Sequence, residues 1–337
     1  MKVTIDDIVK ETGLSKSTIS RAITNKGSVS EGARLEIDKA IRKLGYKSKH
    51  ASLFGSKAVA VISLDLSISY AQATHVRYIQ TLTRYFKELG CVVFTLDCCG
   101  SRSTMEYYLK KLTHSEFLGI FILSYVGYSD FNDDIRNSNC PIVLINHYPN
   151  TLNLDVVSID NFTAGLIGGS HFIKNGHTDI MILSGTYESA TSRNRIWGIR
   201  EAYKENGMVI NDCNILPTNF TYDDGYEFAL RFLRGDYSAT GVFCMNSTLA
   251  SGIIDAFVLG GKRIPQDLSI ICSDYLPAPK KSGLALTTVC LDDVAIATAA
   301  ADLMMERIRK PDDPKRNVVF SPILSEGNSV RDISKGK

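Results

Sequence analysis

From Ala58 to Arg309 short apolar runs alternate with helical patterns, and this alternation constrains the fold more than any other feature of the chain. Ala58–Leu64, Cys91–Leu96, Gly119–Leu123, Pro141–Asn146, Asp179–Ser184, Gly241–Met245 and Leu268–Ser273 read as buried strands. His75–Leu89, Ser103–Leu112, Ala164–Asn175, Arg193–Asn206, Asp224–Arg234 and Thr248–Leu259 carry helical spacing between them, and Leu291–Arg309 reads as a long final helix. Strands apolar on both faces, each followed by a helix, require parallel sheets covered on both sides. Roughly 270 residues are too many for one compact sheet, so two side-by-side α/β lobes are expected.

Open α/β sheets hold ligands outside the carboxyl ends of their strands, so polar residues just past a strand become binding candidates. Asn146, Asp160-Asn161, Ser192 to Arg195, Asn246-Ser247 and Asp274 all follow apolar runs in this way. A carboxylate, an arginine fork and amides together suit a polyol, whose hydroxyls both donate and accept. Each residue also has a plainer reading: Asp160 would equally cap the helix from Phe162, and Asn246 the helix from Thr248.

Ahead of this body lies a segment of a different kind. Thr4 is a helix cap with Asp7 three residues on, and Ile5, Ile8 and Val9 share one helical face. Gly13 supplies a tight exit turn and Leu14 plugs it. Ser15 caps a second helix, Lys16 to about Thr24, with Ile19, Ala22 and Ile23 inward and Lys16, Ser17, Ser20 and Arg21 outward. A third helix follows Ser30, with Leu35, Ala40, Ile41 and Leu44 as its apolar stripe and Gly45 as its stop. The layout is a helix-turn-helix. Its outer face has the short side chains and cations that entry into a DNA major groove needs, although the same face would suit a solvated helical hairpin. Charge favours the first reading. Residues 1–57 hold 12 Lys and Arg against 6 Asp and Glu, whereas the remainder holds 26 against 30. A basic head on a mildly acidic body points to nucleic-acid contact by the head alone.

The run V-T-I-D-D-I-V-K-E-T-G-L-S-K-S-T-I-S-R, then N-K-G-S-V-S and I-R-K-L-G-Y, resembles the head of the lactose/galactose-repressor (LacI/GalR) family nearly without gaps from Val3 to Tyr46. The body resembles that family more loosely, through S-I-D-N from Ser158, H-F-I-K-N-G-H-T-D-I, R-I-W-G, G-V-F-C-M-N-S, L-S-I-I-C-S-D and L-T-T-V. The resemblance implies that Lys16, Ser17 and Arg21 read bases. It also implies that Thr4, Ser15, Thr18, Ser20 and Asn25 hold phosphates. In the body it implies effector contacts from Arg195, Asn246 and Asp274, and more weakly from Thr191, Phe220, Asn146 and Asp160. Phe220 would stack on a sugar face or a nucleobase, or else sit in the core. Asn246-Ser247 and Cys272-Ser273-Asp274-Tyr275 each depart from the family's usual acidic pattern.

The expected organisation is a head over 1–46, a short hinge over 47–57 and a periplasmic-binding-protein-like body over 58–330. Its N-lobe would take about 58–160 and 290–320, and its C-lobe about 161–289 and 321–330. The hinge is about four residues shorter than the family's and lacks its signature. Either a short helix places Leu53, or Phe54 second, as a wedge in the minor groove, or the segment is a flexible basic linker.

The leading expectation is a cytoplasmic, ligand-responsive repressor. It would act as a homodimer on a near-palindromic operator of double-stranded DNA, with a sugar or sugar derivative in the cleft. A sugar sensor not acting on DNA, and a regulator answering to a protein co-regulator or a nucleobase, remain open. An enzyme is not expected, because the chain holds no G-x-G-x-x-G, P-loop, H-E-x-x-H or G-x-S-x-G. Asp160 and Asp274 would make a poor acid pair, since a nearby Arg195 is expected to hold them ionised. No cofactor, metal site or membrane span is expected, and the eight scattered cysteines read as reduced thiols.

Overall fold

The computed structural model describes residues 3–24, 29–44, 46, 58–63, 66, 69–113, 115, 117–123, 135–146, 153–185, 189–274, 283–290 and 292–334. It divides into two compact units, Met1–Ala58 and Val59–Lys337.

The first unit is built from three helices, α1 (Ile5–Thr12), α2 (Lys16–Thr24) and α3 (Glu31–Leu44). The Asp7 carboxylate accepts from both the backbone N–H and the hydroxyl of Thr4 at 2.8 Å, which closes the start of α1. Gly13 ends α1 in the left-handed region, φ 67°. Ser15 accepts from the Thr18 backbone N–H at 3.1 Å and so caps α2. Ile8, Ile19, Ile37 and Ala40 form the core, flanked by Ile5, Val9, Leu14, Ala22, Ile23, Ile41, Leu44 and Tyr46. Leu35 does not belong to it and is 59% exposed. The buried stripe of α3 runs through positions 37, 40, 41 and 44. A residue two before Ile37 lies about 200° away around a helix of 3.6 residues per turn.

The second unit contains two six-stranded sheets. Their strands are β1 (Ala58–Ser63), β2 (Val92–Asp97), β3 (Gly119–Leu123), β4 (Ile142–Ile145), β5 (Asp155–Ile159), β6 (Ile180–Ser184), β7 (Ile215–Pro217), β8 (Gly241–Cys244), β9 (Ser269–Cys272), β10 (Thr287–Cys290), β11 (Asn317–Phe320) and β12 (Ile323–Ser325). The first sheet has the order β2-β1-β3-β4-β5-β11 and the second β7-β6-β8-β9-β10-β12. β12 pairs antiparallel with β10; β5 with β11 and β9 with β10 run parallel. The helices are α4 (Ser69–Glu88), α5 (Arg102–Leu112), α6 (Asn161–Lys174), α7 (Ala190–Glu205), α8 (Tyr222–Leu233), α9 (Ser247–Leu259) and α10 (Asp293–Arg309). The chain crosses between sheets after β5, after β10 and between β11 and β12.

Each sheet carries a core on either face. Phe86, Phe121, Ile296 and Met304 mark one side of the first sheet and Met105, Leu109 and Ile122 the other. Phe228, Phe257 and Ile270, then Phe172, Phe243 and Tyr203, do the same for the second. In both sheets the strand order reverses beside one strand, β1 or β6, which opens a crevice at the carboxyl ends. α4 starts well before His75, and α7 starts three residues before Arg193 because Ser189 accepts from the Ser192 N–H at 3.2 Å. Gly165 and Gly169, on α6, have a packing role. A Cβ on Gly165 would lie 1.9 Å from the Arg195 carbonyl oxygen, so only glycine lets α6 and α7 approach this closely.

Candidate functional site

Arg195 lies on α7 about one and a half turns past its start and is buried, 8% exposed. Its Nε donates to Asn161 Oδ1 at 2.9 Å and its Nη1 to the Met245 carbonyl at 3.0 Å. One guanidinium thus ties together the N-termini of α6 and α7 and the end of β8. Asp274, just past β9, accepts from the Ser247 N–H at 3.4 Å and lies within electrostatic reach of Arg195. Across from it, on the first sheet's side, the α4 residue Arg77 donates through Nε to Asp293 Oδ2 at 2.5 Å. Arg77 and Asp293 both act electrostatically on Asp274, and α4 touches α9. The carboxyl end of the second sheet and the α4–α10 corner of the first therefore bring these charged groups into one polar cluster.

Burial dominates the electrostatics there. The Asp274 carboxyl is pushed above its ordinary range by desolvation, and Arg195 offsets this only in part. Arg195 acts on Asp274 in the expected direction, lowering its pKa, but burial is the larger of the two effects. Asp293 is raised in the same way, with Arg77 working against the shift. Burial also lifts the Tyr78 hydroxyl, which is fully enclosed and has no hydrogen-bond partner within normal geometry among the described residues. At the end of β1, Ser63 Oγ meets His75 Nδ1 at 3.1 Å, and desolvation takes His75 down to about 4.

Other residues singled out in the sequence have specific places. Asn246 is buried and fully engaged: its Oδ1 accepts from the Leu249 N–H at 2.9 Å and its Nδ2 donates to the Phe220 carbonyl at 2.9 Å. It caps α9 and holds Phe220. Asp160 caps α6, accepting from the Thr163 N–H at 2.9 Å and its hydroxyl at 2.7 Å. Phe220 has φ 63° and packs on both cores of the second sheet. Asn146 follows β4 with φ 57°, and its buried Oδ1 has no partner among the described residues. Thr191 is in the first turn of α7. Sequence reasoning missed Arg77, Tyr78 and Asp293. No local signal marks them, because 216 residues separate Arg77 from Asp293.

In the first unit, Thr4, Ser15, Lys16, Ser17 and Arg21 are exposed, and Thr18 and Ser20 half-buried. Lys16 Nζ reaches Asp6 at 2.8 Å, Arg21 Nε donates to the Ser17 carbonyl at 3.2 Å, and Ser15 Oγ meets Thr18 Oγ1 at 2.8 Å. These bonds hold the polar face in place while leaving it at the surface. Asn25, Gly45, Leu53 and Phe54 lie outside the described residues.

Residues 4–49 match the model for bacterial regulatory proteins of the lacI family, and residues 170–330 match a periplasmic binding protein-like domain. The HTH-type transcriptional repressor PurR of Pasteurella multocida (strain Pm70) is 26% identical over 330 residues, covering 97% of this chain and 98% of that protein. The chain joins a lacI-family helix-turn-helix head to a periplasmic binding protein-like domain. It is a ligand-responsive, DNA-binding transcriptional regulator. A LacI family regulator from Enterococcus faecium with bound ribose is 25% identical with a TM-score of 0.69, over 82% of this chain and 100% of that one. A CelR–cellobiose complex shares the regulator's fold, with a TM-score of 0.73 at 20% identity over 97% of this chain and 100% of the other. The similar proteins are regulators and not enzymes. Among the described residues of the regulator no helix is long and apolar enough to cross a membrane. Nor does any group of three or more His, Cys, Asp and Glu side chains gather to hold a metal ion.

Proposed function

We propose that the effector of this regulator is a sugar or sugar derivative held at the carboxyl end of the second sheet. The observation that carries this reading is the buried Asp274–Arg195–Asn161 set. It sets an acceptor near a guanidinium that Asn161 holds in place, a combination that suits hydroxyl groups. Phe220 supplies a ring for an apolar sugar face, with Asn146, Thr191, Asp160 and Asn246 orienting the walls. The ribose-bound relative supports the same class.

The proposed assembly is a cytoplasmic homodimer with the body over 58–330. It represses by placing two heads on a near-palindromic operator, with 47–57 as the hinge between head and body. Lys16, Ser17 and Arg21 read bases there, and Thr4, Ser15, Thr18, Ser20 and Asn25 hold phosphates, with Leu53 as the hinge wedge. Effector binding shifts lobe closure and so biases the DNA-competent state.

The test is thermal melting of the full chain against sugars, sugar phosphates, sugar acids and nucleobases. An effector at about 100 times its Kd adds about 2.7 kcal/mol to the folded state. The expected hit is a sugar whose shift disappears in Asp274→Asn. A shift from nucleobases alone would sink the sugar reading, and silence across the whole panel would transfer the role to a protein co-regulator.

A further inference from the structure

Lys16 opens α2 on the polar face of the head, and its ammonium is already engaged there. Its Nζ lies 2.8 Å from Asp6 Oδ1, across the two helices of the hairpin. Asp6 stands in the first turn of α1. That turn is closed by Asp7, whose carboxylate accepts from the Thr4 N–H and hydroxyl, so the cap does not require Asp6. Both members of the pair are at the surface, the Lys16 side chain 63% exposed and that of Asp6 64%. An exposed pair of this kind adds only about 0–1 kcal/mol to stability. The head is held together by its apolar core instead.

A carboxylate beside a DNA-reading cation acts against raw affinity. Duplex DNA carries one negative charge per about 1.7 Å of its axis, and attraction to phosphate supplies essentially all sequence-independent binding. Asp6 opposes that attraction and occupies the Lys16 ammonium. Were Lys16 to swing onto a phosphate, the Asp6 carboxylate would be left facing the polyanion. A base edge sets different terms. An ammonium has three donors, so one N–H stays on Asp6 while the others reach O6 and N7 of a guanine. The carboxylate then fixes where the ammonium points. Arg21 is aimed by a neighbour in the same way, its Nε donating to the Ser17 carbonyl at 3.2 Å.

We infer that Asp6 is a specificity-determining residue of the head: it holds Lys16 for a guanine in the major groove and weakens binding to other sequences. This role rests on the proposed reading of bases by Lys16. It adds a residue of α1 to the reading face, an acid that sharpens sequence choice while lowering overall affinity.

The test uses the full chain. A pool of randomised duplex DNA is enriched by binding to the parent and sequenced. Fluorescence anisotropy then compares the enriched duplex with a shuffled one across a salt series. In Asp6→Ala, binding to the shuffled duplex is expected to tighten about threefold. The slope of log affinity against log salt should steepen by about 0.9, the value of one added phosphate contact; this readout needs no enriched sequence. The ratio of enriched to shuffled binding is expected to fall about tenfold, with one guanine of the enriched half-site becoming degenerate. Asp6→Asn should match Asp6→Ala and Asp6→Glu should match the parent, because the charge is what acts; circular dichroism checks that each variant folds. Added to Lys16→Ala, the Asp6→Ala change is expected to leave the enriched sequence as Lys16→Ala alone has it. Unaltered shuffled binding and salt slope in both Asp6→Ala and Asp6→Asn would overturn the role of Asp6, and so would an undiminished effect of Asp6→Ala in the Lys16→Ala chain. If Lys16→Ala itself enriches the parent's sequence, base reading by Lys16 fails and the role of Asp6 with it. If Lys16→Ala changes that sequence and the Asp6 variants are silent, the role of Asp6 alone fails.

Discussion

At Asp274 two forces compete, and burial wins. Desolvation raises its pKa above the ordinary value of 3.8, despite the neighbouring Arg195. For a carboxyl whose folded pKa is raised, the stabilising contribution is complete below the unfolded value and lost as pH rises through the folded one. At neutral pH the ionised group therefore destabilises the empty protein. Asp274→Asn is expected to melt higher than the parent near pH 7, with the gap closing below about pH 4, and to lose the effector-induced shift. A lower melting temperature for the variant at neutral pH would contradict this account. His75 runs the other way. Its pKa falls from 6.5 to about 4 because burial disfavours the imidazolium. Its contribution is present above pH 6.5 and lost as pH falls toward 4, about 3 kcal/mol in all. Chemical denaturation between those pH values should show this decline in the parent and a flatter profile in His75→Gln.

Among the elements, the α6–α7 pair shows what one missing Cβ permits. Gly198 faces the Phe162 carbonyl, where an added Cβ would lie 2.0 Å away, and Gly165 faces Arg195 in the same manner. Gly165→Ala is expected to cost about 1–3 kcal/mol, the range for an over-packed interior. It should also displace Arg195, so a stability loss accompanied by weakened effector binding is the result to look for. A neutral substitution would refute the close-approach role. The caps of the head helices were legible because their signals are local: Thr4 with Asp7, Gly13 and Ser15 each act within four positions. The start of α4 was not, since Ser69–Thr74 carries too few apolar residues to show a period. β10, β11 and β12 escaped as well. They are three or four residues long, β11 and β12 are largely exposed, and β11 pairs with a strand about 160 positions away.

For the whole molecule, Arg307 and Asp155 fasten the late chain to the first sheet. Arg307 Nε and Nη2 grip the Asp155 carboxylate at 2.7 and 3.0 Å, and both residues are buried. Further bonds reach the carbonyls of Pro311 and Pro314, and the Arg316 N–H adds another to Asp155. This knot sets β11 beside β5 before the chain crosses back to β12. Arg307→Met leaves the buried Asp155 carboxylate, among the described residues, with only the Arg316 N–H and Lys315 Nζ at 4.0 Å and is expected to cost about 3–5 kcal/mol, read as a fall in the denaturant midpoint. The head keeps its own core, separate from the four cores of the body. Arg21→Ala should accordingly abolish specific operator binding, measured by fluorescence anisotropy, and leave effector-induced melting shifts intact. Loss of both would contradict the independence of the two units.

The sequence alone determined whatever depends on near neighbours and on periodicity: three capped helices at the N-terminus, a basic head, and the strand–helix alternation that forces parallel sheets. It also marked Arg195, Asn246 and Asp274 as polar residues at strand ends. It left open whether Asp160 and Asn246 face a ligand or cap a helix, and the hydrogen bonds to Thr163 and Leu249 make both of them caps. Only the tertiary structure brought Arg77 to Asp293 and both to the neighbourhood of Asp274. Only the fold set burial against Arg195 at Asp274 and made burial the larger effect. Both outcomes depend on which distant segments exclude water from the same place, and no short stretch of sequence encodes that.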